Sequence, residues 1–218
     1  MKESTSKEKV LKKVRDALVE RMPAPYPDID MEGDVFARRE GEFLEELFAK
    51  AFIRANGKFV FSSDVEELAE NLNSLVTSYP IKKLYYGEEF LSGLLQSLDV
   101  ELYNKPGDIF KCDAAVTSCE ALIARHGTIV CSSTDMGGRK GMVAAPIHIV
   151  FATSKQLLYS IKDAMQYLDE KYQTELPSLV SFLTGPSRTA DIEKTLVHGA
   201  HGPKELYLFM LDMTEDLK

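Results

Sequence analysis

Apolar positions recur along this chain with two different periods, and the alternation of those periods predicts an α/β domain. Val10, Leu11, Val14, Ala17 and Leu18 follow helical spacing over residues 7–21. Pro23, Pro25 and Pro27 then block a continuing helix and predict an extended linker. Residues 1–35 therefore read as an N-terminal amphipathic helix and Pro-rich linker, an arm ahead of a domain spanning residues 36–218. The arm's apolar face needs a surface to pack on: this domain, a second copy, or another protein.

Helical spacing resumes at Phe43, Leu44, Leu47, Phe48, Ala51 and Phe52, and Asn56-Gly57 supplies a stop before the short apolar strand at residues 58–61. Ser63 and Glu66 have the separation of a capping box, ahead of Leu68, Leu72, Leu75 and Val76 on one helical face. A strand at 82–86, a helix at 88–98 and a strand at 100–103 follow. Beyond Asp113 the pattern predicts a strand, a short helix ended by Gly127, and another strand. Gly137, Gly138 and Gly141 mark a turn, and IHIVFAT reads as a buried strand. A helix over 154–171, a strand at 178–183, a helix beginning at Ser187 and an apolar strand at 206–211 complete the series. This order favours a Rossmann-like, mostly parallel sheet with helices on both faces, its ligand sought outside the carboxyl ends of the strands.

Charge narrows the function. Asp and Glu number 34 against 26 Lys and Arg, so an extended phosphate-tracking surface is not expected and nucleic acid is not an expected partner. The longest stretch free of these four residue types runs only over 141–154, too short for a membrane span. The first twenty residues lack the apolar block and cleavage site of a secretory signal, which makes a cytoplasmic protein the expectation. Cys112, Cys119 and Cys131 have spacings that fit neither a zinc site nor an iron–sulfur cluster, so reduced, buried thiols are expected.

The densest polar chemistry lies between residues 177 and 203. An apolar strand runs into Gly185-Pro186, and Ser187, Arg188 and Thr189 then open the expected helix, whose unpaired N–H groups would receive an anion. Arg188 can grip a carboxylate or phosphate, with hydroxyl donors from Ser187 and Thr189. A purely structural reading is also open: Ser187 or Thr189 caps the helix, Asp191 and Glu193 answer its dipole, and Arg188 ties down a loop. His198 and His201 have a spacing some metal sites use, but the glycines between and after them set a turn and no metal is expected. His201 can instead hold a ligand or move a proton, while a histidine inside a strand, such as His148, reads first as a core residue. The Gly137–Gly141 run, carrying Arg139 and Lys140, reads first as an exposed hairpin and second as a cover for an anion.

The run TSCEALIARHGTIV, then PIHIVFA, then FLTGPSRTADIEKTLVHGAHGPKELYLFML, resembles the lactate-utilisation protein C family, also called the LUD domain family, over roughly residues 40–212. The resemblance implies a fold of the phosphosugar isomerase and CoA-transferase group. It also implies a part in oxidising L-lactate to pyruvate beside separate iron–sulfur proteins, with no cofactor in this chain and the clusters on the partners. By match to the family's motifs, Gly185, Ser187, Arg188, Thr189, Thr117 and His148 form the expected ligand-binding set for a small anion. His201, Asp191 and Glu193 form the expected catalytic set. Many members of that family carry Glu-Thr where this chain has Arg125-His126. A non-catalytic assembly or regulatory subunit, or an independent acyl-CoA or phosphosugar enzyme, stand as alternatives, and a homo-oligomer stays open.

Overall fold

A computed structural model describes residues 5–19, 41, 43–134, 140–173, 175–189 and 197–213. Contacts divide the chain into residues 1–40 and 41–218. The first unit holds helix α1 (Ser6–Val19), opened by a reciprocal cap in which the Glu8 N–H donates to Thr5 Oγ1 and Glu8 accepts from the Thr5 N–H. The Pro-rich segment lies outside the described residues.

The second unit runs α2 (Leu44–Arg54), β1 (Lys58–Ser62), α3 (Val65–Ser78), β2 (Lys83–Tyr86), α4 (Ser92–Leu95), β3 (Glu101–Tyr103), β4 (Ala114–Thr117), β5 (Ala121–Ile123) and β6 (Thr128–Ser132). It continues with β7 (Ile147–Thr153), β8 (Leu157–Leu158), α5 (Ile161–Tyr172), β9 (Val180–Leu183), β10 (Arg188–Thr189), β11 (Val197–His198) and β12 (Glu205–Leu211). Among the described residues six strands form one sheet in the order β3-β2-β4-β7-β12-β1, parallel throughout. Central strands β7 and β12 are buried from both sides, which is why they read in the sequence as unbroken apolar runs.

The α/β fold with a mostly parallel sheet is therefore as expected. One face is covered by α3, a single 3-10 turn at Glu89–Leu91, and α4, which press Leu68, Leu72 and Leu95 against Leu84, Ile149 and Phe209. The other face is not covered by helices alone. Phe48 and Phe52 of α2 share it with Leu122, Ile129 and Cys131 from a second sheet, ordered β8-β5-β6-β9, and α5 packs Ala164 and Leu168 on that sheet's far side.

The second sheet accounts for two corrections. Residues 121–123 form strand β5 and not the expected short helix, and the expected 154–171 helix begins only at Ile161. Both faces of β5 are buried, so its residues make a short apolar run that periodicity cannot separate from a buried helix. The expected 88–98 helix is reduced to the 3-10 turn and the single turn of α4. The cap of α3 sits one residue later than its spacing suggested: Asp64 accepts from the Glu67 N–H at 2.8 Å, and Glu67 accepts from the Ser63 N–H at 2.7 Å. Among the described residues no helix is long and apolar enough to cross a membrane.

Candidate functional site

Strand β9 delivers the chain to Gly185, whose φ of +80° is one that L side chains rarely adopt. A Cβ there would stand 2.1 Å from the Ala55 carbonyl oxygen, so only glycine lets this loop lie against the α2–β1 connection. Pro186 is buried behind it.

No helix starts at Ser187. Its N–H donates to the Pro203 carbonyl at 2.9 Å, and its own carbonyl accepts from the Gly199 N–H at 2.9 Å. Arg188 and Thr189 then pair antiparallel with His198 and Val197. The N–H expected to receive an anion at a helix terminus is thus spent on a turn far along the chain. Asp191 and Glu193 lie outside the described residues.

Ser187 instead serves the turn at 199–203. Its Oγ accepts from the His201 N–H at 3.3 Å, and a Cβ on Gly202 would come within 3.2 Å of the Ser187 Cβ. That turn precedes β12, and the Lys204 N–H donates at 2.7 Å to the carbonyl of Pro146, which precedes β7. The motif therefore sits at the amino ends of the parallel strands, opposite the end where ligands are usually found in such sheets.

A pocket of about 430 Å³ opens beside this turn, with Lys140, His201 and Lys204 among its walls. Lys140 Nζ lies 5.2 Å from the ring centroid of Phe110, which also lines the pocket. No Asp or Glu is among the described residues lining it. Two ammonium groups and an imidazole, with no carboxylate among the described lining residues, make a field suited to an anion. These cationic side chains come from two separate connections and not from a helix start. Arg188 is exposed in the β10–β11 hairpin and does not line this pocket, and neither do Gly185, Ser187 nor Thr189. Lys204 was not among the expected residues, although its place directly after His201-Gly202-Pro203 was a signal.

Thr117 and His148 meet each other within the main sheet. Thr117 Oγ1 lies 2.8 Å from His148 Nε2 and donates to the Ser118 carbonyl at 3.0 Å, so Nε2–H of the imidazole donates to Thr117. Nδ1 is buried without a hydrogen-bond partner among the described residues. Burial pushes the His148 pKa down to about 4, so the ring is neutral at physiological pH. The unfolded chain then binds more protons between about pH 6.5 and pH 4, and stability should fall as pH drops through that window. In an NMR titration of the folded protein, the His148 ring should hold its neutral shifts down to about pH 5; titration near 6.5 would refute its burial.

The three thiols are unpaired and buried. Burial, then the charges of Asp108 and Asp113, push Cys112 up to about 11, and burial raises Cys119 well above an ordinary thiol, so neither offers a thiolate nucleophile.

A model of the LUD domain matches residues 44–211. An uncharacterized protein of Neisseria meningitidis is 29% identical over 99 residues, 45% of this chain and 42% of that protein. Lactate utilization protein C 1 of Bacillus mycoides is 29% identical over 164 residues, covering 67% of this chain and 70% of that one. Lactate utilization protein C of a Geobacillus strain is 30% identical over 105 residues, 47% of this chain and 44% of that protein. The match thus spans less than half the length of the Neisseria and Geobacillus relatives. In structure the chain is similar to a DUF162 family protein from Deinococcus radiodurans, with a TM-score of 0.61 at 16% identity, over 77% of this chain and 96% of that one. With the LUD domain matching from α2 to the last residue of β12, this chain belongs to the LUD domain family.

Proposed function

We propose that this chain acts in lactate utilisation, beside separate iron–sulfur proteins, and binds a small carboxylate in the pocket between Lys140, His201 and Lys204. The observation that carries the ligand class is the convergence of three cationic or protonatable side chains on a pocket with no acidic residue in its described lining. The pathway rests on family membership and on the names of relatives such as those from Bacillus mycoides and Geobacillus. In this reading Lys140 and Lys204 hold the carboxylate, His201 takes the proton of a 2-hydroxyl group, and Ser187 fixes the turn that presents His201. Forming pyruvate releases two protons and two electrons: the hydroxyl proton goes to His201, the C2 hydrogen leaves as a proton to solvent, and the two electrons pass to clusters on the partner proteins, since this chain is read as holding none.

Calorimetric titration with L-lactate and pyruvate tests the ligand. The wild-type chain should bind one or both, and Lys140→Ala and Lys204→Ala should each weaken binding by about tenfold or more, the cost of losing one charged hydrogen bond. Binding unchanged in both variants would remove the ligand from this pocket. Normal growth on lactate by cells lacking the chain would remove it from the pathway.

A further inference from the structure

The main sheet reverses its winding between β2 and β4: from β2 the chain moves outward to β3, then returns to β4 and proceeds through β7 to β12 in the opposite direction. Open parallel sheets leave a crevice at such a reversal, outside the carboxyl ends of the strands. In this chain the residues just past those ends are Glu88 after β2 and Ser118 after β4. Glu88 is buried, and its two carboxylate oxygens accept from Ser118 alone among the described residues: from the N–H at 2.7 Å and from the hydroxyl at 2.6 Å.

That clamp fixes what Ser118 can offer. With its proton committed to Glu88, the hydroxyl presents only lone pairs to anything on its other side. Ser118 lines a pocket of about 350 Å³, within the range of small-molecule sites, whose walls include Leu68, Leu94 and Phe151. Gln156, also in the lining, is engaged internally: Oε1 accepts from the Thr153 N–H at 2.8 Å and Nε2 donates to the Cys119 carbonyl. No Lys, Arg or His is among its described lining residues, and the Glu88 carboxylate behind Ser118 opposes an anion.

We infer that this pocket is a second ligand site, distinct from the Lys140 pocket at the other end of the strands, and that it takes a neutral, largely apolar molecule with one O–H or N–H donor directed at Ser118 Oγ. The site does not rest on the lactate reading, because it shares no residue with the anion pocket.

Fluorescence and calorimetric titration of the full chain with 1-naphthol tests it, alongside 1-methoxynaphthalene, which lacks the donor, and 1-naphthoate, which is an anion. One 1-naphthol should bind per chain, at least about tenfold tighter than either analogue, as one hydrogen bond and one unfavourable charge require. Ser118→Ala should reduce 1-naphthol to the affinity of its methyl ether. Leu94→Trp, which fills the pocket from α4, should abolish binding, whereas Phe182→Ser on β9 and Lys140→Ala should leave it unchanged. Absence of saturable binding to the wild-type chain, or equal affinity for 1-naphthol and its ether, would overturn the inference whatever the variants do. So would wild-type binding by a Leu94→Trp protein with an intact circular dichroism spectrum.

Discussion

Gly127→Ala is expected to destabilise the domain by about 3 kcal/mol, the sum of about 1 for a left-handed backbone and about 2 for overpacking. Gly127 turns β5 into β6 with φ at +60°. A Cβ would stand 2.2 Å from the Phe52 nitrogen and 2.6 Å from the Ala51 carbonyl carbon. Both are backbone atoms of α2, next to a Phe52 ring with no exposed surface, so the collision cannot be relieved by a side-chain rotation. For a domain of this size the loss lowers Tm by about 6–12 °C. Gly93→Ala is the internal control. It lies in α4 with nothing within 4 Å of its added Cβ, and should be neutral or stabilising by about 0.5 kcal/mol. Equal effects at the two positions would disprove the close approach of the β5–β6 turn to α2.

Lys171→Met should cost about 2–3 kcal/mol. Glu120 begins the chain's entry to β5 with only 2% of its side chain exposed, and it accepts from Lys171 Nζ at 2.6 Å and from the Tyr172 hydroxyl. Removing the cation strands a buried carboxylate, which ordinarily costs about 3–5 kcal/mol; Lys171 is itself 41% exposed, so part of that interaction is already screened. Burial alone would raise the Glu120 pKa, but hydrogen bonds from Lys171, Ser132 and Tyr172 hold it below the ordinary value. A carboxyl depressed in the folded state contributes stability above its unfolded pKa of about 4.3, and that contribution disappears as pH falls through the folded value. Without Lys171 the effect of burial has less to oppose it, so acid unfolding should begin at higher pH in the variant. Urea unfolding across pH 3–7 checks both the size and the direction. Adding Glu120→Gln should recover most of the loss at neutral pH, and failure to do so would mean that the Lys171 chain matters through packing.

The strands of the main sheet were legible because burial from both sides leaves continuous apolar runs: IHIVFAT is β7 residue for residue, and residues 206–211 all fall within β12. The second sheet was not legible, because Ala121–Ile123 is too short an apolar run for its period to be read. The polar motif at 185–203 was visible as a concentration of chemistry, but its local form misled. Gly-Pro-Ser-Arg-Thr has the composition of a helix start, and what makes it a hairpin is the bond from the Ser187 N–H to Pro203, a tertiary contact without a local signature. The same holds for the pocket proposed to take a carboxylate: Lys140 and Lys204 both line it because both connections reach the amino ends of adjacent strands. Glu88 and Ser118 carried no signal either, since their pairing depends on which strands lie side by side.

Among the described residues strand β1 has one neighbour in its sheet, β12, and Lys58 is in register with Tyr207. During synthesis on the ribosome the earliest strand of the sheet therefore emerges with no hydrogen-bonding partner, and stays so until nearly all of the remaining domain has been translated. Until then β7 also keeps an open edge on the side that β12 will fill. Interrupted translation after β7 and before residue 205 leaves an apolar strand and an uncovered edge together, a combination that invites pairing between nascent chains. Closure of this domain is a terminal event, and its last strand is the one that joins the first to the rest.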